Sequence, residues 1–216
     1  MVDDVPENGP NLDVSAWQLI DPRPIQQENP YTFFVPSDAE KAALVPGDLV
    51  KLMFRSLSPH NGTERMWVTF QGRDEVGAFG QLDNQPLDIP GLTAGDIIRF
   101  QDHHIVSVWE PKVDDISHED RMFARCHVDP RILNGGVRIG RIERRSAWRT
   151  WRPWRKDRWP DTGWYIYADD NTRPRSRDMR YVAVGVVLNR DDSILRHLSA
   201  APGTRMIRDG DRFRDI

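Results

Sequence analysis

Short runs of alternating apolar and polar residues constrain the fold of the first half of the chain. The runs are 49–54, 65–70, 77–82, 96–100 and 105–109. The alternation predicts strands that each bury one face, and residues 31–35 are a candidate first strand. Turn signals such as Asn61-Gly62 and Pro90-Gly91 separate the runs at short intervals, which favours antiparallel pairing. We therefore predict a small bent antiparallel sheet or partial barrel.

One short helix and a recurring turn accompany these strands. Ser37 and Glu40 have the spacing of a capping box, which predicts a helix from 38 to about 44. A Gly-Asp pair opens a strand twice, at Gly47-Asp48 and at Gly95-Asp96. We interpret both aspartates as turn residues and not as parts of a binding site.

The second half is organised around residues 137–170, which hold five of the eight tryptophans. Alternating apolar residues predict a strand on each side of a Trp- and Arg-rich span. The alternating positions are Val137, Ile139 and Ile142 before the span and Trp164, Ile166 and Ala168 after it. Because the span contains Pro153 and Pro160, an ordered loop is favoured over one continuous helix.

Helices and a hairpin complete the prediction for the second half. Met122 and Cys126 fall on one face of a helix predicted from about 118 to 127. Asp192 can cap a short helix that ends at Leu198, and a closing hairpin turns at 209–211. The predicted fold class is α+β, with a mainly β domain followed by an α+β sheet domain.

The distribution of charged residues also divides the chain into two halves. Residues 1–110 contain 17 acidic and 7 basic side chains, a balance of −10, whereas residues 111–216 contain 16 and 23, a balance of +7. Such a break is typical of two units. We predict a mobile tail over 1–14, one domain over 15–112 and a second over 113–216.

Composition excludes several classes of protein. The sequence has no run of 18 apolar residues and no apolar stretch near its start, so we expect a cytoplasmic protein without a membrane span. The single cysteine, Cys126, excludes an internal disulfide and metal sites built from paired cysteines. We expect neither a cofactor nor a metal.

The first domain resembles the YegJ-like bacterial domain of unknown function. The matching segments are Arg65-Met66-Trp67-Val68, Gly80-Gln81-Leu82-Asp83-Asn84-Gln85-Pro86 and Gly91-Leu92-Thr93-Ala94-Gly95-Asp96. The resemblance covers about residues 48–109, and that family brings no chemistry with it.

The second domain resembles the immunity protein thirty-three family, which occurs beside bacterial polymorphic toxins. The matching segments, in order, are Cys126-His127-Val128, Val137-Arg138-Ile139-Gly140, Asp161-Thr162-Gly163-Trp164, Asp169-Asp170, Val187-Leu188-Asn189-Arg190-Asp191-Asp192-Ser193-Ile194 and Gly203-Thr204 through Arg208. They span nearly all of residues 117–216. The resemblance implies a cytoplasmic bacterial protein that binds and neutralises a cognate toxin without turnover.

The span 148–159 departs from that family, because it is longer and more basic than the usual connection. If this loop selects the toxin, the present chain selects a different one. Trp and Arg are frequent anchors of protein interfaces. The predicted partner-binding residues are Trp148, Trp151, Arg152, Trp154, Arg155, Arg158, Trp159, Asp161, Trp164, Asp169 and Asp170. A second candidate face is acidic and comprises Asp83, Asp88, Asp96 and Asp102.

Alternative interpretations remain open for the same residues. Trp159 and Trp164 are as well explained by packing over the domain's own core. The Trp/Arg span also has the composition of a surface for RNA or single-stranded DNA, although the acidic first half disfavours nucleic acid. A third possibility is a domain that regulates its own chain and has no partner.

No pattern of catalytic residues emerges from the sequence. His103-His104 would point to opposite faces of a strand, and Cys126 beside His127 is better explained as a buried thiol. Asp161, Asp169 and Asp170 contain ligand types for a cation, but we prefer a turn for Asp161 and a solvated strand end for the other two. We therefore predict a protein that is not an enzyme.

Overall fold

The computed structural model describes residues 16–58, 62–110, 121–146, 159–169 and 174–216. The fold is α+β, as the sequence predicted. The chain divides into two compact units. Unit 1 comprises Met1–Glu28 and Phe33–Asp114, and unit 2 comprises Asn29–Thr32 and Asp115–Ile216. The predicted tail over 1–14 lies outside the described residues.

Unit 1 is a curled antiparallel sheet of six strands with two short helices. Its elements are β1 (Trp17–Leu19), α1 (Arg23–Glu28), α2 (Asp38–Ala42), β2 (Leu49–Ser56), β3 (Thr63–Asp74), β4 (Gly77–Leu82), β5 (Ile97–Phe100) and β6 (Ile105–Val108). Strands β1 to β5 lie in sequence order, and β6 pairs with β2. A 3₁₀ turn, Asp102–His104, joins β5 to β6.

The alternation of the sequence determines which face of this sheet is buried. Val50, Leu52 and Phe54 of β2 are fully buried, and β3 contributes Met66, Val68 and Phe70 to the same core. All five runs predicted as strands form strands. Because side chains alternate across a strand, the residues between these positions lie on the outer face of the sheet.

The local signals of unit 1 are confirmed in detail. The Ser37 hydroxyl accepts from the Glu40 amide at 3.2 Å and the Glu40 carboxylate accepts from the Ser37 amide at 2.6 Å, which completes the capping box of α2. Asp48 accepts from the amide three residues before it at 2.8 Å, and Asp96 does the same at 2.7 Å. The glycine before each aspartate has φ of 99°, so both turns require a residue without a Cβ.

Unit 2 is a mixed six-stranded sheet. Its elements are β7 (Arg125–Val128), α3 (Pro130–Leu133), β8 (Ile139–Arg144), β9 (Asp161–Ala168), β10 (Arg180–Ala183), α4 (Val184–Leu188), β11 (Arg205–Asp209) and β12 (Arg212–Asp215). The strand order is β10-β7-β9-β8-β11-β12. Strands β7 and β9 are parallel, and the other neighbours are antiparallel.

One prediction of secondary structure is wrong and another holds only in part. The helix predicted from 118 to 127 is present at residues 121–123, but the chain then enters β7, where Cys126 and Val128 are fully buried between two neighbouring strands. Hydrogen bonding to β9 and β10 overrides the helical spacing that the sequence offered. The strand predicted over 31–35 is absent from the described fold, because the Tyr31 amide donates at 3.0 Å to the side chain of Asn189 instead of to a neighbouring strand.

The end of unit 2 agrees with the prediction in its hairpin but not in its helix cap. The closing hairpin forms between β11 and β12 and turns at Gly210, which has φ of 61°. A 3₁₀ turn, Leu195–His197, occupies the place of the short helix, and the backbone carbonyl of Asp192, not its side chain, accepts from the Leu195 amide at 2.9 Å. Among the described residues, no helix is long and apolar enough to cross a membrane.

Candidate functional site

The Trp/Arg span joins β8 to β9 in unit 2, as predicted. These strands pair antiparallel up to Arg144 and Trp164, and the Arg145 amide donates to the Gly163 carbonyl at 2.8 Å. Both ends of the span therefore leave from the same end of the sheet. Six of the predicted contact residues within the span lie outside the described residues and stay predictions: Trp148, Trp151, Arg152, Trp154, Arg155 and Arg158.

Trp164 does not belong to a contact surface. Its side chain is 1% exposed, and its indole Nε1 donates to the Leu198 carbonyl at 3.3 Å. The alternation that predicted β9 places Trp164 on the same face as Ile166, which is fully buried. The prediction that Trp164 contacts a partner is therefore wrong, and its alternative, packing over the core, is confirmed.

Trp159 and Asp161 lie where the Trp/Arg span enters β9. Trp159 is half-buried and stacks on Phe123, with 5.2 Å between ring centroids and 27° between ring planes. Asp161 accepts from the Gly163 amide at 2.8 Å, which confirms that it forms the turn before the glycine. The contact role of Trp159 stays a prediction.

Asp169 lies at the other end of β9 from Asp161. It is exposed, and its amide donates to the Arg138 carbonyl at 2.8 Å. Because a strand advances by about 3.3 Å per residue, the two aspartates are roughly 26 Å apart and cannot share one cation or one small contact area. Asp170 lies outside the described residues.

The face of the unit 2 sheet opposite Trp164 carries a ladder of aromatic rings and an arginine. The rings of His127 and Tyr165 are stacked at 4.4 Å with 1° between their planes, and the Tyr181 ring lies 4.9 Å from His127. The Arg145 guanidinium lies 3.4 Å from the centroid of Tyr165 and donates to the Tyr167 hydroxyl at 3.1 Å. Arg145 is thus held in a fixed orientation where the Trp/Arg span begins.

Burial affects the ionisation of Tyr167, whose hydroxyl belongs to this face of the sheet. Desolvation raises the pKa of the Tyr167 hydroxyl, and the nearby Glu143 carboxylate raises it further. The phenol therefore stays protonated at neutral pH. It can take part in hydrogen bonds at this end of the sheet but cannot serve as a base.

The outer face of the unit 1 sheet carries a second aromatic cluster, which we call the Trp67–Trp109 cluster. Lys51 of β2 lies opposite Trp67 of β3, and its ammonium nitrogen is 4.1 Å from the centroid of the indole. Trp109 meets Trp67 edge to face, with 5.6 Å between centroids. The side chain of Asn84 accepts from the Trp67 amide at 2.6 Å, which fixes the strand beneath the ring.

Trp109 is the exposed member of this cluster. Its side chain is 58% exposed, whereas Trp67 is half-buried between Lys51 and Trp109. Trp usually buries most of its surface, so an exposed ring held by a second aromatic ring indicates a contact site. The sequence contained the signal, because the alternation that buries Met66 and Val68 places Trp67 on the outer face.

Three of the four acidic positions of unit 1 do not lie together. Asp83 and Asp96 lie beside Leu82, at the end of β4, because the Leu82 amide donates to the Asp96 carbonyl at 2.8 Å. Asp102 follows Phe100, which pairs with Ala78 at the start of β4. The length of β4 therefore separates Asp102 from the other two, so these three carboxylates do not form one compact patch, and the contact role of the acidic positions stays a prediction.

The histidine pair of unit 1 is arranged differently from the prediction. His103 and His104 lie in the 3₁₀ turn, and their ring centroids are 4.1 Å apart instead of on opposite faces of a strand. Burial and, to a smaller extent, the neighbouring His103 lower the pKa of His104 to about 4. His104 Nδ1 accepts from the Gln101 amide at 3.0 Å, so this imidazole is neutral and structural.

Two further chemical possibilities can be assessed within the described residues. No group of three or more His, Cys, Asp or Glu side chains is arranged to hold a metal ion in that part of the chain. Cys126 is fully buried, and desolvation raises the pKa of its thiol, so it is a poor nucleophile where it lies. This confirms the interpretation of Cys126 as a buried thiol.

Comparison with known proteins adds no relative. No protein-family model, no curated protein and no solved structure matches this chain.

Proposed function

We propose that this chain is a bacterial immunity protein that binds a cognate toxin and blocks it without any turnover. The ordered series of motifs in residues 117–216 supports the class. The observation that carries the binding function is the exposed indole of Trp109, which stands edge-on against Trp67. Exposed Trp side chains on rigid supports are typical hot spots of protein interfaces.

The geometry of the cluster provides a preorganised anchor. Lys51 and Trp67 hold each other through a cation–π contact, and Trp109 packs against the free edge of that pair. Because these rings are already ordered before binding, they lose little side-chain entropy when a partner covers them. Covering the exposed 58% of Trp109 would bury roughly 140 Å², which is worth roughly 3 kcal/mol.

The start of the Trp/Arg span offers a second kind of contact in unit 2. Arg145 is fixed over Tyr165, and Trp159 is stacked on Phe123, so both ends of the span rest on rigid rings. Residues 111–216 carry a balance of +7, which speeds encounter with an acidic surface. The two clusters thus supply an aromatic anchor and a basic contact for a protein partner.

The test uses the toxin encoded by the open reading frame adjacent to this gene. Wild-type chain and Trp109→Ala are titrated with the purified toxin domain, and growth is measured when each is co-expressed with it. We expect Trp109→Ala to weaken binding by about 30- to 100-fold, in line with a hot-spot residue. The matched control is Leu87→Ala, which removes an 88% exposed side chain of the same unit and should leave the affinity unchanged.

Two outcomes would contradict the proposal. If the wild-type chain neither binds the toxin nor restores growth, the immunity function is wrong. If it binds single-stranded RNA or DNA instead, with an affinity that falls steeply as salt rises, the nucleic-acid alternative is correct. Equal affinity of Trp109→Ala and Leu87→Ala would reject the cluster as the contact site while leaving immunity itself intact.

A further inference from the structure

A polar cleft of about 470 Å³ lies in unit 1, away from the Trp67–Trp109 cluster. It opens between α1, α2, the adjoining ends of β3 and β4, and the 3₁₀ turn before β6. Charged side chains dominate its lining, which includes Arg23, Asp38, Lys41, Arg73 and Asp102, together with the imidazole of His103. Its volume falls in the range of clefts that bind small molecules.

Most charges around the cleft are neutralised by close ion pairs. Arg23 contacts Asp21 at 2.6 Å, and Arg73 contacts Asp102 at 3.0 Å. Asp74, which also lines the cleft, contacts Arg99 at 2.6 Å and accepts from two backbone amides. These distances are those of charge-assisted hydrogen bonds, so Arg23 and Asp74 are satisfied, whereas Arg73 uses one guanidinium nitrogen, Nη2, for both its contacts, to Asp102 and to the Lys41 carbonyl.

Lys41 is the exception. Its side chain is only 9% exposed, yet its nearest described carboxylate is Asp38, at 3.6 Å, and the Asp38 side chain is fully exposed. Among the described residues no other carboxylate lies within 4.0 Å of its ammonium nitrogen. The described counter-charge of the Lys41 ammonium is thus a solvated carboxylate beyond hydrogen-bond distance, which compensates its charge little.

The fold holds this lysine in place beside a second cation. Lys41 belongs to α2, whose start is fixed by the capping box of Ser37 and Glu40. The Arg73 guanidinium donates to the Lys41 carbonyl at 2.6 Å and packs over the Phe70 ring at 4.9 Å. Two cationic groups are therefore positioned on one side of the cleft by their own backbone contacts.

We propose that this cleft binds a small oxyanion, a phosphate or a carboxylate group, with Lys41 as the anchoring cation and Arg73 as the second donor. Among the described residues that line the cleft, Ala78 is the one apolar side chain, so the ligand is polar throughout. This site is separate from the proposed toxin contact and needs no toxin for its test.

The experiment is calorimetric titration of the full chain with inorganic phosphate at constant ionic strength, with chloride as the reference anion. We expect saturable binding by the wild type and a loss of at least about tenfold in Lys41→Gln, because the main counter-charge is removed. The matched control is Arg55→Gln, which removes one charge from an exposed position on β2 of the same unit. Phosphate binding no tighter than that of chloride would overturn the proposal.

A second variant at the same site should change the phosphate affinity in the opposite direction. Asp38→Asn removes the solvated carboxylate that competes for Lys41 and leaves the capping box intact, so phosphate affinity should rise several-fold. This variant stays informative even if Lys41→Gln fails to fold. An affinity equal to that of the wild type in Asp38→Asn would reject Lys41 as the anchor.

Acetate, titrated in parallel, identifies the source of the oxyanion. Phosphate binding at least about tenfold tighter than acetate assigns the cleft to phosphate-bearing ligands, because a dianion gains more from two cations. Acetate binding as tight as phosphate assigns it to carboxylates. Failure of both anions overturns the proposal but leaves the immunity function untouched, since the toxin titration does not involve this cleft.

Discussion

A buried ion pair in unit 2 gives the most quantitative prediction. The Arg208 side chain is 4% exposed and donates to Asp191 at 2.9 Å and to the Ser193 hydroxyl at 2.6 Å, and it also donates to the Ile139 carbonyl. Asp191 in turn accepts from the Ile139 amide at 2.8 Å. The pair thus ties β8, β11 and the segment after α4 together.

Replacing Arg208 with Met should destabilise unit 2 by about 3 kcal/mol. Removing one partner of a buried pair costs roughly 3–5 kcal/mol because the other charge is left unpaired. We expect the lower end of this range of destabilisation, because Asp191 keeps its backbone donors and its side chain is 15% exposed. The free energy of unfolding is measured by urea denaturation at pH 7, and Arg212→Met, on the exposed edge strand β12, is the matched control with a change below about 0.5 kcal/mol.

The pH dependence of stability tests whether the unpaired Asp191 carboxylate causes the destabilisation of Arg208→Met. Burial alone would raise the pKa of Asp191, but hydrogen bonds from Ser193 and Ile139, with the Arg208 charge, outweigh burial and hold the pKa below its ordinary value. A lowered pKa stabilises the fold above the unfolded pKa of about 4 and loses that contribution as pH falls through the folded value. The difference between wild type and Arg208→Met should therefore shrink below about pH 4. A difference that is small at pH 7, or that stays constant down to pH 2.5, would refute the reasoning.

Two further predictions concern backbone positions. Gly163→Ala should cost about 2–4 kcal/mol in urea denaturation, because its φ is +76° and a Cβ would lie 2.4 Å from the Arg145 carbonyl oxygen. Gly203→Ala, with φ of +99° but open space around it, should cost only about 1 kcal/mol, so equal losses would reject the steric argument. Asp96→Ala should cost about 1 kcal/mol by releasing the turn amide that its carboxylate accepts, and a loss below the error of the denaturation curve would contradict this.

Local signals in this sequence predicted much of the fold, because the physics behind them is local. The capping box at Ser37 and the Gly-Asp turns at Asp48 and Asp96 require only residues within three positions of one another. The strands of unit 1 followed from alternation, since one face of their sheet is buried. Elements whose conformation depends on distant partners were predicted less well.

The errors have a common origin in long-range contacts. Met122 and Cys126 have a helical spacing, but parallel pairing with β9, more than thirty residues away, makes residues 125–128 a strand. The sequence around Tyr31 predicts a strand, but the Tyr31 amide donates a hydrogen bond to a side chain 158 residues further along the chain. Such contacts override local preference, and no pattern within a short window reveals them.

The candidate sites also combine features that the local sequence predicts with features that depend on distant contacts. Trp67 could be placed on the outer face from the alternation of β3, but its contact with Trp109 depends on β6 pairing with β2. The cleft around Lys41 was not visible at all, because its lining comes from five separate segments of unit 1. Burial of a lysine is a tertiary property, and the sequence of α2 alone predicts an exposed one.

Several of the motif residues that carry the resemblance of unit 2 have structural roles. A Cβ on Gly140 would lie 2.4 Å from the Asp169 Cα, Trp164 fills the core, and Asp191 pairs with Arg208. These three residues preserve the fold and are not free to contact a partner. We therefore expect the choice of partner to depend on side chains other than these. Exchanging the Trp/Arg span between two related chains should consequently transfer toxin preference without a change in stability, whereas exchanging motif residues should change stability alone.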